Sequence, residues 1–342
     1  MVAFHGAFIA IGTIWTSCCD DSHPWLNRGV AWTSPDGRAW TLRSPIPDFK
    51  HASLDDLVTD GTRLIAVGSY APPVRSGLGV HIPAVWVSTD GIRWVRASGT
   101  IPSFVAVGAH GFIGAAVKTD SSSSATSAQF VTSTNGLKWT AVSNRFAADL
   151  RGLAAARDGS AIAVGVEPRT PPLGDSTGAD MMTWRSTDGT RWSGPETTGN
   201  GGLPVAVTSD GRDFLAVVDR DVDLPSGTTS TTSEVLRLAE GQASRPASIP
   251  LAEEDYLDSV FVIGDALIAT GATLVNDAYN AMVWISTDGG TTWGRLEDPQ
   301  AFSDINNGIA GIVPTPSGLL AVGNHWDSTT MHAVPSFWLA AR

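Results

Sequence analysis

Five near-copies of one string punctuate the chain: AWTSPDGRAW at 31–40, VWVSTDGIRW at 85–94, FVTSTNGLKW at 130–139, TWRSTDGTRW at 183–192 and VWISTDGGTTW at 283–293. A second string recurs seven times, as FIAIG, LIAVG, IGAAV, AIAVG, FLAVV, LIATG and LLAVG. Its alanines are Ala10, Ala66, Ala115, Ala163, Ala216, Ala269 and Ala321, at spacings of 56, 49, 48, 53, 53 and 52 residues. Self-similarity at a fixed period of this size marks a repeat architecture, in which each unit buries an apolar face only by packing on its neighbours.

Each unit reads as four short strands. Leu57 to Thr59 and Leu64 to Val67 flank Asp60-Gly61, and Asp-Gly between alternating apolar runs supplies the positive φ of a tight hairpin. Val85 to Ser88 and Arg93 to Arg96 flank a second turn. No stretch carries a sustained helical period. Four strands per unit and seven units predict an all-β chain, a seven-bladed β-propeller of four-stranded antiparallel blades in one domain over 1–342. The units run approximately 1–44, 45–98, 99–145, 146–197, 198–249, 250–299 and 300–342. The fifth has lost its tryptophan turn, at EVLRLAEGQ. The seventh runs out at SFWLAAR after its third strand, so either its blade keeps three strands or Val2 to Phe4 pairs beside it.

Composition narrows the function. Asp and Glu outnumber Lys and Arg by 34 to 22, a formal net charge of −12, and a nucleic-acid binder needs the opposite footprint. No window approaches the 18 apolar residues of a membrane span, and the apolar start MVAFHGAFIAIGTIW lacks the basic region of a secretory signal. The two cysteines, Cys18 and Cys19, are adjacent, which rules out a disulfide framework and a four-cysteine zinc site. No P-loop, dinucleotide fingerprint or nucleophile elbow stands in a credible setting.

The string Ser-x-Asp-Gly-x-x-Trp at Ser88, Asp90, Gly91 and Trp94 resembles the Asp-box, the bacterial neuraminidase repeat. It recurs at Ser34/Asp36/Trp40, Ser186/Asp188/Trp192 and Ser286/Asp288/Trp293, and with Asn135 in the third unit. The resemblance covers essentially the whole chain and implies a sialidase-like propeller, a group that includes glycosidases, assembly factors, sorting receptors and lectins. The repeated aspartates invite a catalytic reading. The physics favours a structural one: Asp accepts from nearby turn N–H groups, Gly takes the left-handed position, and Trp wedges its flat ring between blades. Sialidases also carry an arginine cluster, a Tyr–Glu nucleophile pair and a Phe/Tyr-Arg-Ile/Leu-Pro motif ahead of the first box, and no such motif precedes Ser34.

Topology assigns the faces. The tight Asp-Gly turns share one face, and the long loops at 13–29, 69–84, 118–129, 166–182, 219–233, 272–281 and 324–335 share the other. Loops on a rigid scaffold are where binding usually sits. On that face Trp15, Trp25, Tyr70, Tyr279 and Trp326 stand outside the repeat register as candidate ligand platforms. Beside the axis Asp55, Asp56, Arg151, Tyr256 and Asp258 are expected to line a polar funnel, and Asp55, Asp56 and Asp258 are the candidate catalytic carboxylates. The first loop, with Cys18, Cys19, Asp20, Asp21 and His23, lacks the spaced pairs of a zinc site. Asp219, Asp221 and Asp223 lack the glycine and closing glutamate of a calcium loop. The sequence therefore predicts no metal and no cofactor. It predicts a monomeric binding module for a glycan or protein partner, which the resemblance and the Ser/Thr/Gly-rich loops imply works outside the cytoplasm, with a sialidase-like glycoside hydrolase as the alternative.

Overall fold

The structure, a computed structural model, describes residues 1–14, 27–72, 80–120, 125–168, 180–198, 202–211, 213–223, 229–239, 242–244, 249–252, 255–275, 278–296, 307–327, 329 and 332–341. The fold is a seven-bladed β-propeller of small antiparallel sheets. The first sheet takes β1 (Val2–Phe4), β2 (Ala7–Ile14), β3 (Arg28–Ser34) and β4 (Thr41–Arg43). The second takes β5 (Ala52–Thr59), β6 (Leu64–Tyr70), β7 (Ile82–Ser88) and β8 (Val95–Arg96). The third joins β10 (Phe104–Gly108), β11 (Gly111–Thr119), β12 (Thr126–Ser133) and β13 (Lys138–Ala141), flanked by β9 (Ser98–Gly99) and β14 (Phe146–Ala147). In the fourth are β15 (Asp149–Ala155), β16 (Ala161–Val166), β17 (Met181–Ser186) and β18 (Trp192–Thr197). In the fifth are β19 (Leu203–Ser209), β20 (Phe214–Asp223), β21 (Thr229–Ala239) and β22 (Gln242–Ser244). The sixth holds β23 (Asp255–Ile263), β24 (Ala266–Val275), β25 (Ala278–Ser286) and β26 (Gly294–Arg295), and the seventh only β27 (Gly308–Thr315), β28 (Gly318–Asp327) and β29 (His332–Ala341).

The last sheet thus keeps three strands, and Val2–Phe4 pairs with β2 in the first sheet. The chain separates into two compact units. One holds Met1–Val117 with Gln129–Asn144, the other Lys118–Ala128 with Arg145–Arg342. In the first unit, Ala66, Trp86 and Trp94 of the second sheet pack with Ile9, Ala31 and Phe49, and Ile65, Val87, Phe112 and Trp139 join the second sheet to the third. In the other unit, equivalent clusters join the fourth sheet to the fifth, the fifth to the sixth and the sixth to the seventh.

The recurring alanine has a partner. Ala10, Ala66, Ala163, Ala269 and Ala321 stand directly opposite Trp32, Trp86, Trp184, Trp284 and Trp338 on the third strand of each sheet. Opposed residues share a face, so a methyl group makes room for an indole. Ten of the thirteen tryptophans occupy either this register or the turn register.

Three of the expected long loops are strands. Asp219 lies in β20, Tyr279 in β25 and Trp326 in β28, and sheets five to seven extend as hairpin ribbons of nine- to eleven-residue strands. Threonine and valine recur at 229–236 and 270–275, and β-branched residues favour pairing that continues past the sheet body. The fifth sheet replaces its missing tryptophan turn with arginines. Arg185 from the fourth sheet donates to the carbonyl oxygens of Leu238 and Ala239. Arg237 donates to Asp210 and Asp213 and reaches the Gly289 carbonyl of the sixth sheet.

Candidate functional site

The Ser-x-Asp-Gly turns are self-contained. In the second sheet Ser88 Oγ accepts from Gly91 N at 2.9 Å and donates to Asp90 Oδ1, which itself accepts from the backbone N–H of Ile92 and Arg93 at 2.8 Å. The same pattern holds at Asp36, Asn135, Asp188 and Asp288. Backbone donors from Ala39 and Arg38 pull the Asp36 carboxyl down, those of Arg191 and Thr190 pull Asp188 down, and the Thr292 hydroxyl and N–H hold Asp288 at about 2. A carboxyl fixed in its ionised form by its own turn has no proton to offer a substrate. The wedge role is uneven. Trp94 and Trp139 are buried, whereas Trp40, Trp192 and Trp293 are half-buried; Trp40, Trp139, Trp192 and Trp293 each donate their indole N–H to the turn glycine carbonyl.

The innermost strands carry a second recurring device. A β-bulge interrupts β5 between Leu54 and Asp56, β15 between Leu150 and Gly152, β19 between Pro204 and Ala206, β23 between Leu257 and Ser259, and β27 between Ile309 and Gly311. A bulge leaves one residue unpaired and re-aims its side chain. The residues so released are Asp55, Arg151, Val205, Asp258 and Ala310. Opposite four of the bulges stand Gly68, Gly165, Gly271 and Gly323, where a Cβ would collide with the carbonyl oxygens of Ser53, Asp149, Tyr256 and Gly308. These are the final glycines of the strings LIAVG, AIAVG, LIATG and LLAVG. The repeat thus encodes a socket for the bulge, a signal carried by the final glycine of each string.

Two carboxylate groups follow from this geometry. In the second sheet, burial and the neighbouring Asp56 raise the Asp55 carboxyl, and His81 pulls it back in part. His81 Nδ1 lies 3.0 Å from Ser69 Oγ, and the Arg96 guanidinium covers Tyr70 at 4.7 Å from its ring centre. Asp56 accepts from the Leu57 N–H at 2.7 Å. In the sixth sheet, burial and then the charge of Asp219 raise Asp258 to about 6. Burial, Asp258 and Tyr279 push the Tyr256 hydroxyl up to about 12, and the rings of Tyr256 and Tyr279 meet edge to face at 5.7 Å. Asp219 accepts from Ser233 Oγ at 2.6 Å, and that oxygen accepts the Leu257 N–H at 3.0 Å. The bulged strand is therefore pinned to the fifth sheet.

Other expected members stand apart. Arg151, expected in the acidic funnel, pairs with Asp149 two residues away on the same strand, at 2.9 Å. Trp326 is half-buried in β28, opposite Ala333, and is no loop platform. Trp15 and Trp25 lie outside the described residues, as do Cys18, Cys19, Asp20, Asp21 and His23. The residues that sequence reasoning did not place in a site are Ser69, His81, Asp219 and Ser233. Among the described residues no group of three or more His, Cys, Asp or Glu is arranged to hold a metal ion, and no helix is long and apolar enough to cross a membrane.

No protein-family model matches the chain, and no curated protein sequence matches it. Solved structures resemble it in fold. A protein of unknown function from Dyadobacter fermentans superposes with a TM-score of 0.51 at 16% identity, covering 82% of this chain and 91% of that one. The β-propeller domain of the Trilobed protease from Pyrococcus furiosus, which has an open velcro topology, gives 0.52 at 11% identity over 84% and 81%. An α-L-arabinanase from Penicillium chrysogenum, solved with arabinobiose, gives 0.51 at 13% identity over 83% and 91%.

Proposed function

We propose that this chain is a carbohydrate-recognition propeller, one domain over 1–342 assembled from Asp-box units, which binds a glycan and performs no chemistry on it. The observation that carries this reading is the Tyr256–Asp258 group. Two tyrosines and a bulge-released carboxyl, with Asp219 behind it, stand at the inner end of the sixth sheet. Aromatic faces stack on sugar C–H surfaces at low entropic cost, and carboxylates accept paired sugar hydroxyls. The same resemblance implies a bacterial protein working outside the cytoplasm. The turn aspartates serve the scaffold and take no part.

Asp258 itself favours a second reading. A carboxyl at about 6 is partly protonated near neutral pH, as a general acid for glycoside cleavage must be. A glycan array followed by a panel of fluorogenic glycosides separates the two. Saturable glycan binding without turnover, weakened by Tyr256→Ala and Asp258→Asn, supports the binding module. Turnover lost in Asp258→Asn supports the hydrolase. Binding that survives both substitutions removes this site from either account.

A further inference from the structure

Four of the five tryptophan turns place Asp ahead of their glycine, and the third places Asn135 there. Asp36, Asp188 and Asp288 are held ionised by their own turns, and a carboxylate anion is a poor target for a nucleophile. An amide in the same frame is neutral and offers a carbon that can be attacked. The frame around it is complete. Asn135 Oδ1 accepts from Leu137 N at 2.9 Å, from Lys138 N at 3.3 Å and from Ser133 Oγ at 3.3 Å. Three converging donors identify that atom as the amide oxygen. Preset donors of this kind stabilise negative charge as it develops on an oxygen. The Gly136 N–H donates to the same Ser133 Oγ at 2.9 Å, and glycine has no side chain to screen its nitrogen. Asn135 is only half-buried, which leaves water a way in. Nucleophile, oxygen cradle and bridging hydroxyl therefore share one turn.

We infer that Asn135 is a self-modification site: in the folded chain the Gly136 nitrogen attacks the Asn135 side-chain carbonyl carbon, and the residue is converted to aspartate. The new N–Cγ bond forms as the Gly136 proton passes to Ser133 Oγ, whose own proton moves to Oδ1. The Cγ–Nδ2 bond then breaks, and the amide nitrogen leaves as ammonia with the proton returned from the oxygen. Water opens the resulting cyclic imide, so asparagine and water go in and aspartate and ammonia come out. An aspartate there meets the two backbone donors that already hold Asp90 in the second sheet, so the turn accommodates its product. The chain has two further Asn-Gly pairs. Asn307 is buried, with its Oδ1 engaged by the Ala281 N–H rather than by a turn of its own, and Asn200 lies outside the described residues. The inference does not depend on the glycan-binding reading, since none of these atoms belongs to the Tyr256–Asp258 group.

Peptide mapping by mass spectrometry tests it, on the full chain aged at mildly alkaline pH in heavy-oxygen water. The folded wild-type chain is expected to lose ammonia and gain a heavy oxygen at Asn135. Its rate should at least match that of the same chain unfolded in guanidinium chloride, while Asn307 remains an amide over the same interval. Ser133→Ala should slow the reaction by about tenfold or more. Ser133→Thr keeps the hydroxyl and should preserve the rate, and thermal melts well above the ageing temperature establish that both variants fold. A folded chain that reacts more slowly at Asn135 than the unfolded one overturns the proposal, because the turn would then shield the amide instead of attacking it. So do equal rates in Ser133→Ala and wild type, or ammonia loss without uptake of heavy oxygen. Equally fast conversion of Asn307 in the folded chain would detach the reaction from the turn and sink the proposal too.

Discussion

Asp258 and Asp288 belong to one sheet, yet one carboxyl is raised to about 6 and the other held at about 2. The difference lies in what the backbone points at them. Asp288 closes a turn whose N–H and hydroxyl donors converge on its oxygens. Asp258 is the extra residue of a bulge, without such donors, partly buried and facing the charge of Asp219. Donors stabilise the ionised form, whereas burial and like charge destabilise it. Asp36, Asp90 and Asp188 follow Asp288, and Asp55 follows Asp258. Repetition of a residue type therefore reports scaffold here, while chemistry gathers at positions the repeat leaves free to vary: the bulge residue is Asp, Arg, Val, Asp and Ala in the second, fourth, fifth, sixth and seventh sheets.

The strongest test of the scaffold half is the buried anchor of a turn. Trp94→Ala should cost about 3–5 kcal/mol in urea melts, the range for emptying a large aromatic site. Trp192, half-buried, should cost distinctly less, although both occupy the same motif position. Equal costs would mean that the wedge does not depend on burial. The bulge half is tested by Gly271→Ala, whose methyl group meets the Tyr256 carbonyl. A loss of about 1–3 kcal/mol is expected, together with a fall of the Asp258 pKa toward its ordinary value as the bulge resets, readable by carboxyl NMR titration. An unchanged Asp258 titration would detach its shift from the bulge.

A smaller effect is expected for Asp90→Ala, about 1–2 kcal/mol for two turn N–H groups losing their acceptor. The subtlest contrast lies in pH. Asp288 protonates at about 2 when folded against an ordinary 3.8, so its stabilisation is complete above that ordinary value and lost as pH falls toward 2. Asp258 runs the other way. Between 3.8 and about 6 the folded chain holds a proton the unfolded chain has released, so stability declines as pH rises across that window. Asp258→Asn should flatten the decline and leave the acid limb untouched. A parallel shift of the whole curve would contradict the assignment.

The architecture was legible because period, turn chemistry and strand count agreed at every unit. The paired registers of Ala66 with Trp86 and Ala269 with Trp284 were visible in both strings, but only cross-strand pairing shows that one makes space for the other. The site was half legible. Asp55 and Asp258 could be placed on innermost strands by counting. The pairing of Arg151 with Asp149 could not be foreseen, because Asp149 is an ordinary strand neighbour in the sequence. Asp219 and Ser233 were hidden for another reason: polar, β-branched-rich ribbons read as loops when their pairing partner is the other arm of the same hairpin.

One small element remains, the two-residue strand β9. Ser98–Gly99 leaves the second sheet and pairs in parallel with Lys138–Trp139 of the third, and Gly99 is required because a Cβ there would strike the Trp139 carbonyl. A repeat protein is usually pictured as interchangeable tiles, each finished before the next begins. Here the seam between two tiles is stitched after the second has been laid, by thread from the first. Excising, swapping or duplicating a unit at residue 98 would leave the next unit's outer border unsewn. The natural cutting point for grafting the third blade therefore lies before Ser98, so that the stitch travels with the sheet it closes.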